Sequence, residues 1–458
     1  MDTGFTMNHD TAERFGSLRE GLGRFNLAGK RFLIPQMNRI GCHLLAATFR
    51  GFGINAQVMD TCRNLDLGME YTSGKECYPC QITMADILYF LDREKELLEK
   101  DFDPEKYVYF MPEADGPCRF GMYNKYQRIV LDSLADFERV KIGSMTTKDG
   151  YSLDGMIEKG KVTDLRKASY LSAVVADILD RFLWRIRPYE REEGMADDFI
   201  EAAMGRLERA FEERAGKADS DGILESLERE IIKGRSVIDP DIPRKPLIGI
   251  VGEIYLRTHT GANQDTIRVL EKYGAEVVNA SICEWINYTT YDKLRDSRTG
   301  FRLAMKQLRI NEMKRQIKKI AGFGLDLLYQ QHVQKRAYGR IAPLIDLVQD
   351  HKVSHLEKTL KQEDLFSFDI GTEACLSIPS VVEYARSGFN GVVNIYPFTC
   401  MPSTIASAVA KPVMSRLGVP YLDTPYDSSI QPGREAAIRT FMYQACQHHK
   451  RHSRGVQT

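Results

Sequence analysis

The chain has 458 residues, of which 43% are hydrophobic and 28% are charged, as in soluble globular proteins of two or three domains. Its 63 basic and 63 acidic side chains balance, whereas proteins that neutralise a nucleic-acid backbone usually carry a basic excess. No apolar run approaches the roughly 20 residues that span a bilayer, and Met1–Asp10 lacks the charged-then-apolar order of a signal peptide. We therefore expect a cytoplasmic protein that binds neither nucleic acid nor membrane.

Short apolar runs bounded by turn residues predict two sets of buried parallel strands with helices between them. Such runs start at Arg31, Ile54, Tyr107, Val140, Pro246, Ala275, Gly391 and Val419. Because strands alternate with helices in both sets, the predicted fold class is α/β, with two doubly wound, Rossmann-like parallel-sheet domains. Both sets follow one plan, in which a loop with proline and cysteine comes after a later strand.

Composition divides the chain further. We assign residues 1–30 to an N-terminal extension, 31–150 to the first α/β domain and 246–458 to the second. Residues 151–245 mix charged and apolar residues with helical period, which predicts a helical connector ending at the prolines of Asp239–Pro243. A long helical pattern, about 291–361, predicts an insertion within the second domain.

Nine cysteines in a reducing compartment indicate metal binding or redox chemistry rather than disulfides. Those on loops or helix starts near predicted strands are Cys77, Cys80, Cys118, Cys283, Cys375 and Cys400. Ligands of open α/β sheets gather beyond the carboxyl ends of the strands, so at least five of these thiols are expected to converge on a cleft between the two halves. The remaining cysteines, Cys42, Cys62 and Cys446, are interpreted as structural.

Three kinds of site are compatible with these cysteines. Thiolates hold iron–sulfur cubanes, typically four to a cluster, and four cysteines can also hold a structural zinc ion. Cys77-Tyr-Pro-Cys80 at a helix start could instead act as a thiol–disulfide pair. The sequence has no GxxxxGK[ST] phosphate-binding loop. We therefore expect no nucleotide bound by this chain and assign any ATP hydrolysis to another polypeptide.

Five short motifs carry a family resemblance. They are Gly74-Lys-Glu-Cys77-Tyr-Pro-Cys80-Gln, Gly116-Pro-Cys118-Arg-Phe-Gly121, Gly249-Ile-Val-Gly-Glu253-Ile-Tyr, Glu284-Trp285 and Pro397-Phe-Thr-Cys400-Met-Pro402. Together they resemble the double-cubane cluster proteins, within the wider superfamily of the 2-hydroxyacyl-CoA dehydratase subunits. The resemblance covers roughly residues 30–190 and 246–446.

The resemblance implies a cofactor and partners. The cofactor is either a double cubane, [8Fe-9S], held by six cysteines of one chain, or a single [4Fe-4S] cluster as in the dehydratase subunits. An ATP-hydrolysing activator with its own [4Fe-4S] cluster delivers the electrons, and the substrate of the double-cubane members is a small molecule. A second copy of the chain, in a homodimer, is compatible with this scheme.

The resemblance also assigns the cluster ligands, and residues close to them in the sequence or after a strand are further candidates. The cluster ligands are Cys77, Cys80, Cys118, Cys375 and Cys400, and Cys283 is chosen as the sixth because each half then gives three thiolates. Arg119 is a candidate for stabilising cluster charge, the alternative being a salt bridge within its own loop. Glu76 and Glu373 precede ligand cysteines and are candidates for proton relay, the alternative being solvated loop acids. His259, which follows a strand, is a candidate for substrate contact.

Three functions follow from these assignments. The leading hypothesis is a low-potential iron–sulfur reductase component that receives electrons from the separate activator and reduces a small substrate. The second is a 2-hydroxyacyl-CoA dehydratase subunit with a [4Fe-4S] cluster. The third is a non-catalytic scaffold stabilised by a metal.

Overall fold

The computed structural model describes residues 20–73 and 75–455. Residues 1–19 of the predicted N-terminal extension, Gly74 of the first cysteine motif and residues 456–458 lie outside this range. Two separate sheets, each made of parallel strands, carry helices on their faces. The predicted α/β class with two doubly wound sheets is therefore confirmed. In the part of the chain that the structure describes, every helix is too short or too polar to cross a membrane.

The first sheet contains all four strands predicted for the first half and one that was not predicted. Its strands are β1 (Leu22–Gly23), β2 (Arg31–Ile34), β3 (Asn55–Val58), β4 (Tyr107–Phe110) and β5 (Lys141–Gly143). The spatial order is β1-β5-β4-β2-β3. The unpredicted strand, β1, is only two residues long and too short to show an apolar pattern. The helices of this half are α1 (Arg39–Gly51), α2 (Leu65–Glu70), α3 (Tyr78–Leu98) and α4 (Tyr123–Asp132).

Three helices occupy the predicted connector: α5 (Val162–Ile186), α6 (Met195–Arg214) and α7 (Ser220–Gly234). The first of them, α5, contacts both halves of the chain. Asn38 of the first half donates to the Asp180 carboxylate at 2.7 Å, while Asp177 accepts the Ile282 N–H of the second half at 2.9 Å. Hydrogen bonds of one helix therefore reach both halves.

The second sheet contains the four strands predicted for it, β6 (Leu247–Gly252), β7 (Glu276–Asn279), β8 (Gly391–Pro397) and β9 (Tyr421–Tyr426), in the order β7-β6-β8-β9. Its helices are α8 (Ile254–Thr258), α9 (Thr266–Lys272), α10 (Ile282–Lys306), α11 (Ile310–Ile341), α12 (Val353–Gln362), α13 (Ala374–Arg386), α14 (Met401–Leu417) and α15 (Arg434–Gly455). The predicted insertion at 291–361 starts inside α10, so the helical segment begins earlier than the sequence indicated.

In both sheets the order in which the chain adds strands reverses at an equivalent strand. The chain passes from β2 to β3 and then returns to the far side of β2 as β4, and it passes from β6 to β7 and returns beside β6 as β8. Each reversal opens a crevice at the carboxyl ends of two strands, where ligands of such folds bind. Cys118 follows β4 and Cys400 follows β8, so the two cysteine loops leave corresponding strands.

Candidate functional site

Three cysteines stand at the starts of helices. Cys77 is the N-cap residue of α3, Cys400 that of α14, and Cys118 that of a short 3₁₀ helix, Arg119–Met122. In both α-helices a proline follows two residues after the cysteine, in the first turn, where its missing N–H costs no helical hydrogen bond. Thiolates are stabilised at helix N-termini by free N–H groups and the positive end of the helix dipole. The local sequence therefore places these cysteines at helix starts, where a thiolate is stabilised.

Hydrogen-bond donors contact all three of these thiols. The donors are the N–H groups of Tyr78, Phe120 and Ser403 and the hydroxyls of Tyr123 and Ser403. Each of them lowers the pKa of the thiol it contacts, because it stabilises the thiolate. Hydrogen bonds to ligating sulfurs also tune the reduction potential of a bound cluster.

Arg119 links the cysteine loops of the two halves. Its guanidinium donates to the carbonyl of Lys75, in the loop before α3. It also donates to the carbonyl and the hydroxyl of Thr399, at 2.7 and 3.0 Å, one residue before Cys400. Because Arg119 itself follows Cys118, one side chain brings three cysteine loops together. The alternative of a salt bridge within its own loop does not describe these contacts.

Residues in these loops and in the loop before Cys375 have unusual backbone conformations. Cys77, Thr372 and Thr399 have φ values of 96°, 70° and 68°, in the left-handed region that residues with a side chain seldom adopt. Such conformations cost of order 1–3 kcal/mol each and persist only where surrounding contacts enforce them, often at functional sites. Two of the three helix-starting cysteines are thus at or next to such a position, Cys77 itself and Cys400 beside Thr399.

Two carboxyl groups of the second half face the thiols. Glu253 directly follows β6 and accepts the N–H groups of Tyr255 and Leu256 at 3.1 and 2.8 Å. Glu373, next to α13, accepts the Ile254 N–H at 3.1 Å. Burial raises the pKa of both carboxyls, and the neighbouring charge of Glu373 raises that of Glu253 further. The buried setting therefore favours the protonated form of each carboxyl.

The thiols respond to the same surroundings. Burial raises the pKa of Cys77 to about 11 and that of Cys118 to about 12, and it also raises the pKa of Cys400. The negative charges of Glu253 and Glu373 add to the rise at Cys118 and Cys400. Coordination to a cation reverses this, because a metal-bound thiol is deprotonated outright. Soft sulfur donors crowded with carboxyls thus fit a cofactor with a positively charged iron–sulfide core.

The spacing of the thiols bears on the zinc alternative. A tetrahedral zinc ion with Zn–S bonds of about 2.3 Å holds its sulfurs only about 3.8 Å apart. Among the residues that the structure describes, no three cysteine thiols lie within 4.8 Å of one another. A closed zinc site is therefore not preformed, whereas a cubane spreads its ligands more widely than a single ion does.

Cys80 lies close to Cys77, whereas Cys375 contacts other groups. Cys80 is fully buried in the first turn of α3, where its thiol interacts electrostatically with Cys77 and Glu76. The Cys375 thiol contacts the carbonyls of Gly371 and Phe368 at 3.3 and 3.5 Å and packs in an apolar cluster with α12. Both remain predicted ligands, and Cys375 would have to rotate towards the other thiols.

Cys283 lies in a different part of the molecule. It occupies the first turn of α10, its N–H donates to Asp177 of α5 at 2.9 Å, and its thiol also hydrogen bonds to Asp177. It belongs to the core formed by the connector helices and α11. The structure does not bring Cys283 close to the other thiols. Cys283 is therefore not placed to supply the third thiolate expected from the second half.

The two remaining predicted residues have clear partners. Glu76 accepts the N–H and the hydroxyl of Ser73 at 2.9 and 3.0 Å, which ties it to its own loop. His259 is buried, and its Nε2 lies 2.9 Å from the hydroxyl of Thr61, which donates to Asp86 at 2.7 Å. These hydrogen bonds join the two halves of the molecule, but they do not include Cys77, Cys118 or Cys400.

Sequence reasoning missed two members of the site. Glu253 appeared only within a family motif, although its place directly after β6, at the reversal of strand order, could have identified it. Tyr123 contacts Cys77 from the start of α4, and nothing in the local sequence distinguishes it from an ordinary core tyrosine.

Fold and site together define an α/β protein of two parallel sheets with a group of thiols and carboxyls between its halves. A scan against protein-family models gives no match to this chain, and a search of curated proteins gives none either. The chemistry of the site therefore carries the functional assignment.

Proposed function

We propose that this chain is the iron–sulfur component of a low-potential reductase, with Cys77, Cys118 and Cys400 binding the cluster. One observation carries the proposal. Three thiols start helices, each meets hydrogen-bond donors, and a single arginine links their loops beside two carboxyls. When bound, such a cluster supplies electron transfer at low potential.

Three thiols favour a single [4Fe-4S] cluster over the six-thiolate [8Fe-9S] double cubane. Cys80 and Cys375 are the candidates for a fourth thiolate, and Cys283 has no part in the proposal because it contacts Asp177 instead. A single cubane also supports the second candidate function, a 2-hydroxyacyl-CoA dehydratase subunit, since the resemblance links that cluster to those subunits.

The other residues of the site have separate tasks in this proposal. Arg119 is a positioning residue, because it holds the loops together through the Lys75 and Thr399 carbonyls. Glu253 and Glu373 are the candidate proton donors beside the thiols, since burial raises the pKa of both. A small molecule that accepts electrons commonly accepts protons as well, and these carboxyls are placed to supply them.

The surface around Cys400 suits a transient partner. Phe398 and Met401, on either side of it, are 57% and 47% exposed, and Cys118 is half-buried. Exposed apolar side chains at a functional site are typical of interaction surfaces. We assign this surface to the ATP-hydrolysing activator with its own [4Fe-4S] cluster.

Anaerobically purified protein is expected to be brown and to contain iron and acid-labile sulfide in about equal amounts. The reason is that a cubane contains one sulfide for each iron. Elemental and sulfide analysis on the same sample provides the measurement. Zinc without sulfide would reject the proposal and favour the metal-stabilised scaffold.

Electron delivery is expected to require ATP only through the partner. The purified chain should show no ATP turnover, because it has no GxxxxGK[ST] motif, and little reduction of substrate with weak donors. Activator, ATP and a strong reductant together should start turnover, since nucleotide state can shift the partner's conformation. Equal rates with and without ATP over a range of donors would contradict the partner assignment.

A further inference from the structure

Two histidines and a glutamate meet on the second half of the molecule, away from the cysteines. His351 precedes α12, His355 lies in its first turn, and Glu383 lies in the last turn of α13. One ligand atom from each residue lies within 4.8 Å of the others. The His355 Nε2 atom is 3.0 Å from a carboxylate oxygen of Glu383, and the two imidazole rings are 5.6 Å apart between centroids.

We propose that His351, His355 and Glu383 bind a divalent first-row transition ion such as Zn²⁺ or Co²⁺, and that this ion pins α12 to α13. Two imidazoles and one carboxylate form a known ligand set for such ions, with positions left open for water. Bonds of about 2.0–2.2 Å place the ligand atoms about 3.3 Å apart. The His355–Glu383 pair is already near that distance, and the remaining approach needs only side-chain rotation.

The surroundings of Glu383 fit an oriented ligand. Its other carboxylate oxygen accepts the Thr359 hydroxyl at 2.7 Å, which fixes the plane of the carboxylate as partners of metal ligands commonly do. Arg386 lies 3.6 Å from Glu383 but also pairs with Glu363, so its charge is shared with a second carboxylate. The carboxylate therefore keeps the oxygen that faces the histidines available.

The histidines fit the same role. The His355 side chain is 49% exposed and His351 is half-buried, so an ion can reach them from solvent. Burial lowers the pKa of His351, which favours the neutral imidazole that binds metal ions. A simple ion pair between His355 and Glu383 would not account for the second imidazole four residues earlier on the same side.

The test is a titration of chelator-treated full-length protein with Co²⁺, followed by calorimetry and visible absorption. The double variant H351N/H355N should bind one ion fewer than the wild type, or bind it at least about tenfold more weakly. The ion lost should show no thiolate charge-transfer absorption, which separates it from metal on the cysteines. Because the comparison is a difference, ions held by Cys77, Cys118 or Cys400 cancel, and failure of the proposed cluster does not affect the result.

A control variant changes one histidine of another pair with the same spacing. His448 and His452 stack at 4.0 Å on α15, and H452N should leave Co²⁺ stoichiometry and affinity unchanged. Metal should also raise the melting temperature of the wild type and of H452N more than that of H351N/H355N. Only the first two proteins keep the histidines through which a metal ion can link α12 to α13. Equal binding by all three proteins, or a loss in H452N as large as in the double variant, would overturn the proposal.

Discussion

Serine in place of Cys118 is expected to remove most of the iron and sulfide from anaerobically purified protein. Oxygen is a poor replacement for a soft thiolate ligand, and the serine hydroxyl ionises far less readily than a thiol. Changes to partners of metal ligands already cost about 10–100-fold in metal affinity, so loss of a ligand should cost no less. The same result is expected for C77S and C400S, measured as iron and sulfide per chain.

Two cysteines outside the site provide controls. In C283S the serine hydroxyl can keep the hydrogen bond to Asp177. In C446S the changed residue is half-exposed on α15. Both variants should therefore retain full iron content. Circular dichroism shows whether each variant is folded. Full iron in C118S, or an equal loss in C283S, would contradict the assignment of the ligands.

The second large effect is a loss of stability in acid that depends on His259. This residue is 2% exposed, its Nδ1 accepts the Ala262 N–H at 3.0 Å, and burial lowers its pKa to about 4 from the usual 6.5. The folded protein therefore favours the neutral imidazole. The stability that the neutral imidazole contributes is fully present above about pH 6.5 and is lost as pH falls through about 4. The size of that contribution is about 3 kcal/mol, at 1.36 kcal/mol for each pH unit.

Denaturant unfolding at a series of pH values measures this contribution. The wild type should lose stability between pH 6.5 and 4 relative to H259Q, because glutamine cannot take up a proton. Asp86, whose pKa burial raises to about 7, acts with the opposite sign but titrates in both proteins, so the difference reports on His259. The variant H452Q, at an exposed histidine of α15, should follow the wild type. Parallel curves for the wild type and H259Q would contradict the prediction.

The sequence by itself determined the sheets and the local setting of three cysteines. The central strands are buried on both faces, so they appear as apolar runs, as in Phe32–Ile34 or, interrupted only by Asn394, in Val392–Ile395. The Cys-X-Pro pattern marks Cys77 and Cys400 as helix starts, because proline favours the first turn. These features depend on neighbours in the chain, and so the sequence can show them.

Only the tertiary structure decided which of these groups meet. The contacts of Arg119 with Thr399 span 280 residues of sequence, and Glu373 joins Glu253 through the Ile254 N–H. Cys283 shows the reverse case, since it follows a strand and starts a helix as the others do, yet it packs against Asp177 of α5. Local sequence sets whether a thiol stands at a helix start, but the packing of distant helices sets the direction in which it points.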